Sequence, residues 1–78
     1  MNDVTRYYLQ ELQTKYKKPQ LSRKQVAEVL NISLSTLENL IIRNELPIRH
    51  HRLGTSQKAK YVFPIIEVAN FLAFENAA

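Results

Sequence analysis

Apolar positions in residues 3–16 recur at the spacing of one helix face. Thr5, Tyr8, Leu9, Leu12 and Tyr16 project to one side at about 100° per residue, while Arg6, Gln10 and Gln13 face away. Lys17-Lys18-Pro19-Gln20 ends this segment, because proline disfavours helical geometry in the residue before it. Two shorter amphipathic stretches follow, residues 22–31 and 33–43. In the first, Val26, Val29 and Leu30 share a face and Lys24 and Glu28 point out; in the second, Leu37, Leu40 and Ile41 form the inward stripe with Leu34 at its edge. Each has a start signal. Ser22 is placed to cap the first helix, with Gln25 as capping-box partner and Leu21 and Val26 as a hydrophobic staple. Ser33 is placed to cap the second, and Asn44 sits where that helix should close in the left-handed conformation.

Residues 48–63 change period. Ile48–Leu53 and Ala59–Phe63 are strand-like around a turn-like Gly54-Thr-Ser-Gln57. Alternation puts Ala59, Tyr61 and Phe63 on one face and Lys58, Lys60 and Val62 on the other, which predicts a hairpin with a packed inner side and a basic outer side. Pro64 then suits the first turn of a last helix running to about Glu75. Ile65, Val68, Ala69 and Leu72 make its inward face, yet Ile66, Ala73 and Phe74 lie on another side. A helix apolar over more than one stripe is either sandwiched, most simply against residues 3–16, or presents a self-association surface; sandwiching is the favoured arrangement. The expected organisation is one domain over residues 1–78. It comprises an N-terminal helix and linker (3–19), paired helices (20–47), a hairpin (48–63) and a C-terminal helix (64–76). The fold class is mainly α with a small β-hairpin, a winged helix-turn-helix.

Helix, tight turn, helix is the layout that sets a second helix into the DNA major groove, and charge agrees with it. Eleven Lys and Arg against seven Asp and Glu give a net charge of +4, with an isoelectric point near 9.6. Residues 15–24 carry Lys15, Lys17, Lys18, Arg23 and Lys24 without an acid, and residues 46–60 carry Arg49, Arg52, Lys58 and Lys60 with His50 and His51, again without an acid. Clustered cations on a small domain suit a phosphate-backbone binder, although mild basicity also serves solubility. With no cysteine there is no disulfide framework and no thiolate chemistry. No apolar run approaches the ~20 residues of a membrane span, and no signal-peptide core is evident, so a cytoplasmic location near the nucleoid is expected. Without a secretion signal, the Asn31-Ile32-Ser33 sequon is read as chance.

Several of these residues together resemble a known family. Leu21-Ser22, Val26-Ala27-Glu28-Val29-Leu30, Ile32-Ser33, Ser35-Thr36-Leu37, Leu40-Ile41, Arg43-Asn44-Glu45-Leu46-Pro47 and Tyr61-Val62-Phe63-Pro64 look like the MerR-like winged helix of phage and plasmid excisionases and AlpA-type prophage regulators. The resemblance covers roughly residues 20–73. It implies binding to a short DNA site, to direct excision or to control transcription. The chain departs from the family pattern at Asn44, where Gly is common, and at Leu34, Glu38 and Ile42, where basic or aromatic residues are common. Its hairpin turn is longer, and Val62 takes a place that is often basic.

Outward on the second paired helix lie Ser35, Asn39 and Ile42, flanked by Thr36, Glu38 and Arg43. Asn39 suits a bidentate pair with adenine, and Ser35 and Thr36 suit bases or phosphates near the helix N-terminus. Ile42 suits a thymine methyl, and Arg43 the backbone. Glu38 either accepts from cytosine N4 or repels phosphate and excludes wrong registers. Arg23 and Lys24 on the first helix, with Arg49, Arg52, Gln57, Lys58 and Lys60 in the wing, are the candidate backbone or minor-groove contacts. His50 and His51 are adjacent, so on a strand they point apart and do not readily share a metal. A Ser-His-acid hydrolase has its residue types here but no nucleophile elbow. The expectation is therefore no enzyme, no cofactor, no metal and no small-molecule ligand. The expected partner is double-stranded DNA, accompanied by a second copy, a cooperative array or an integrase. The rival of another class is a protein-interaction adaptor or antirepressor on the same fold, which Leu34, Glu38 and Ile42 favour.

Overall fold

The computed structural model describes residues 2–54 and 60–77. Chain order within them is α1 (Asp3–Tyr16), β1 (Gln20–Leu21), α2 (Arg23–Leu30), α3 (Leu34–Ile42), β2 (His51–Leu53), β3 (Lys60–Pro64) and α4 (Ile65–Ala77). This is a mainly helical fold with a small antiparallel sheet, compatible with a winged-helix-like domain.

The helix ends follow the chain's polar punctuation. Asn2 caps α1, its side chain accepting from the Thr5 N–H at 2.8 Å. Ser22 caps α2 in a complete capping box: the Gln25 N–H donates to Ser22 Oγ at 3.3 Å, and the Ser22 N–H donates to Gln25 Oε1 at 3.0 Å. Ser33 caps α3, accepting from the Thr36 N–H at 3.1 Å. Three residues close the same helices with positive φ: Lys17 (55°), Asn31 (58°) and Asn44 (56°). After α2, the Asn31 N–H reaches Glu28 O and the Ile32 N–H reaches Ala27 O; after α3, the Asn44 N–H reaches Ile41 O and the Glu45 N–H reaches Leu40 O. Both are Schellman closures, and each satisfies carbonyls that would otherwise lack a donor. The expected role of Asn44 is met. Lys17 closes α1 by the simpler left-handed cap, its N–H donating to Gln13 O at 2.9 Å, so the closure falls two residues before Pro19.

The sheet departs from the expected two-stranded hairpin. Its order is β1-β3-β2, with Leu21 opposite Phe63 and Gln20 opposite Pro64 on one side, and His51, Arg52 and Leu53 opposite Val62, Tyr61 and Lys60 on the other. β3 is therefore central. Val62, which alternation assigns to the outer basic face, is buried, only 8% exposed, and with Phe63 fully buried both faces of β3 are covered at this point. The first predicted strand is shorter than Ile48–Leu53, since pairing begins at His51 and Ile48 is instead a buried core residue. Pro64 is the last residue of β3 rather than the first of α4. Its missing N–H suits a strand end, and the next donor, Ile65 N–H, bonds Pro19 O at 2.9 Å.

The core gathers Leu12 from α1, Leu21 from β1, Val26 and Ala27 from α2, Leu37 from α3, Ile48, Phe63 from β3 and Ile65, Val68 and Ala69 from α4. α4 packs along α1 more extensively than any other two elements meet, so the sandwiched arrangement holds. Ala73, placed on the second side of α4 by its spacing, is buried as well, whereas Phe74 remains 75% exposed. A second tie joins α1 to α2. Lys15 Nζ lies 3.0 Å from Glu28 Oε1, and the Tyr16 hydroxyl donates to the same oxygen at 3.0 Å. These two donors, Lys15 first, hold the Glu28 carboxyl below its ordinary range. Burial, reinforced by the bond to Glu28, pushes the Tyr16 phenol up.

Candidate nucleic-acid interface

The Schellman turn after α2 and the Ser33 cap fix how α3 leaves α2, and burial fixes its rotation. Leu37 is wholly buried, and Leu40 and Ile41 are half-buried. The opposite side is consequently solvent-facing: Ser35, Thr36, Asn39, Ile42 and Arg43 are all exposed, and Ile42 is 79% exposed. Five of the six candidate residues on this helix thus lie on its open surface. Thr36 is partly committed, since its hydroxyl is 2.8 Å from Ser33 Oγ within the cap.

Glu38 behaves differently from its neighbours. It is half-buried and paired with Arg23, whose Nη1 lies 3.3 Å from Glu38 Oε2. The Arg23 guanidinium also sits over the Tyr61 ring, 5.5 Å from its centroid. Arg23, Glu38, Ile41, Ile42 and Tyr61 line a single cleft between α2, α3 and β3. Two candidates expected to address DNA separately are therefore partners, and Tyr61 joins them. Tyr61 was assigned only an inner-face packing role. The signal that could have promoted it is its place directly after Lys60, an aromatic beside a cation on a wing strand.

A neighbouring depression is walled by Ser22, Arg23, Lys24, Leu34, Lys60 and Tyr61. It brings three cations from two elements together with the Ser22 and Tyr61 side chains, and no acid lines it. Lys24 and Lys60, 36 positions apart in sequence, meet here because β3 lies beside the start of α2.

The rest of the wing is less convergent. Cross-strand partners share a face, so Arg52, opposite Tyr61, lies on the face opposite to that of Lys60 and Leu53. Arg49 and Arg52 are exposed, but neither lines the two depressions. Gln57 and Lys58 lie outside the described residues. His50 turns inward: its ring nitrogen Nδ1 is 2.8 Å from Ile48 O, and its ring packs against Phe63 and Tyr61 at centroid distances of 5.1 and 5.8 Å. It buttresses the Tyr61 side of the cleft, while His51 is exposed. Among the described residues, no group of three or more His, Cys, Asp or Glu could hold a metal ion, and no helix is long and apolar enough to cross a membrane.

A capped helix pair and a small antiparallel sheet that brings cations beside the second helix are compatible with a small winged-helix-like domain. The chain belongs to the family of the pyocin activator protein PrtN, whose model matches residues 8–78. That is a phage-related family of regulators and not an enzyme family. No curated protein and no solved structure matches the chain.

Proposed function

We propose that the domain binds duplex DNA sequence-specifically and controls transcription, with α3 in the major groove and the β2–β3 hairpin along the phosphate backbone. The observation that carries this reading is the acid-free depression where Arg23, Lys24 and Lys60 converge beside the exposed face of α3. Phosphate contacts supply affinity and register, and base edges supply specificity. Cations flanking an outward polar helix face provide both kinds of group in one place. Membership in an activator family favours transcriptional control over the excisionase role that the MerR-like resemblance also allows. A nine-residue α3 spans few base pairs, so paired or arrayed copies on repeated half-sites would complete the specificity.

Binding titrations on random duplex and on sites recovered by in vitro selection test the reading. Replacing Lys24 and Lys60 together by Ala should weaken both DNAs about equally and flatten the dependence of log affinity on log salt by about two units. If the double variant binds random duplex as the wild type does, the depression is not a phosphate seat. The adaptor reading, which the exposed Ile42 and the partnered Glu38 favour, takes its place if the wild type binds neither DNA even at low salt.

A further inference from the structure

We propose that Glu38 is a specificity-determining residue that acts by masking Arg23, and that the Arg23–Glu38 pair is exchanged for two DNA contacts at a correct site. The inference rests on the DNA-binding reading above and concerns how that same surface discriminates. Three observations carry it. The pair joins α2 to α3 in the centre of the candidate interface, at 3.3 Å and with both side chains partly exposed, 38% and 41%. Arg23 is held on its other side by the Tyr61 ring at 5.5 Å. The acid-free depression with Lys24 and Lys60 lies immediately beside it and is lined by Arg23 as well.

In the unbound protein, Glu38 neutralises the cation that stands between the two depressions. Random DNA offers Arg23 a phosphate, but the bare Glu38 carboxylate is then left facing the duplex with no donor, and like charges repel. A site that presents a cytosine amino group to α3 gives the carboxylate a donor. Arg23 is then released to a phosphate without penalty. A partly exposed pair is weak enough to exchange in this way. Base recognition by Glu38 and backbone contact by Arg23 become a single coupled event, and the domain withholds one phosphate contact from wrong sequences.

The test is a double-mutant cycle of Glu38→Gln and Arg23→Ala, read as affinity against salt on random duplex and on sites selected by the wild type. Circular dichroism melts serve as the folding control. Glu38→Gln should tighten random DNA about threefold to tenfold at low salt and steepen its salt slope by about one unit, because Arg23 gains a phosphate. It should not tighten the selected site, so discrimination falls. In the Arg23→Ala background the slope change should vanish, since nothing is left to unmask. Selection repeated with Glu38→Ala, which removes the acceptor that Gln keeps, should lose a cytosine preference at one position. A slope change that persists with Arg23→Ala means a general charge effect and overturns masking, as does an unchanged slope in Glu38→Gln while the wild type binds DNA. Failure of the wild type to bind any duplex at low salt overturns the DNA reading itself, and this inference with it.

Discussion

Asn39 lies on the exposed face of α3, one helical turn after Ser35 and three residues before Ile42. Its amide both donates and accepts, which matches the adenine edge in the major groove and no phosphate in particular. Asn39→Ala should therefore cost about 1–3 kcal/mol on a selected site and little on random duplex. Parallel titrations of the two DNAs check this. Equal losses on both would mean that α3 does not read bases. Glu38, one residue earlier, shows how sharply neighbouring positions on one helix can differ: Asn39 faces solvent, while Glu38 turns to Arg23. That distinction was not legible in the sequence. Helix spacing places both residues outward, and the partner that turns Glu38 aside lies 15 positions away on another helix.

Among the elements, α3 depends on one anchor. Leu37 is fully buried between the helices, whereas Leu40 retains some exposure, so Leu37→Ala should be the costlier truncation. About 2–4 kcal/mol is expected for Leu37→Ala by chemical denaturation, with less for Leu40→Ala. Coincident melts of Leu37→Ala and the wild type would show that the helix phase is wrong.

The α1–α2 tie makes a separate, pH-dependent prediction. The Glu28 carboxyl is depressed in the folded state, so its contribution to stability is present above the ordinary carboxylate range and is lost as pH falls through the lowered value. Melting temperatures measured from neutral pH to about pH 3 should fall less steeply for Glu28→Gln than for the wild type, since that contribution is already absent. Parallel profiles would mean that the Lys15–Glu28–Tyr16 contacts add nothing to stability. Elements with a period or a cap were legible: α1, α2 and α3, with the serine caps of the last two, follow from spacing and punctuation. β1 was not, because two residues have no period. With β1 hidden, β3 read as an edge of a two-stranded hairpin. The positive-φ closures at Lys17 and Asn31 were missed for a related reason, since a left-handed residue is marked only by the hydrogen bonds it makes with the preceding turn.

At the scale of the whole molecule, folding collects charges that the sequence scatters. Lys24 and Lys60 come together with Arg23, while Arg43, Arg49 and Arg52 stay exposed beyond that depression. Folded in this way, the domain should neutralise about four to five phosphates when it lies on duplex DNA with Arg23 still masked. The most direct test is the equilibrium affinity of the wild-type protein for random duplex across a range of salt concentrations. A straight line of log affinity against log salt with a slope of about −4 is expected. A slope near zero, or no binding even at low salt, would contradict DNA binding by this surface and leave the domain as a protein-interaction module.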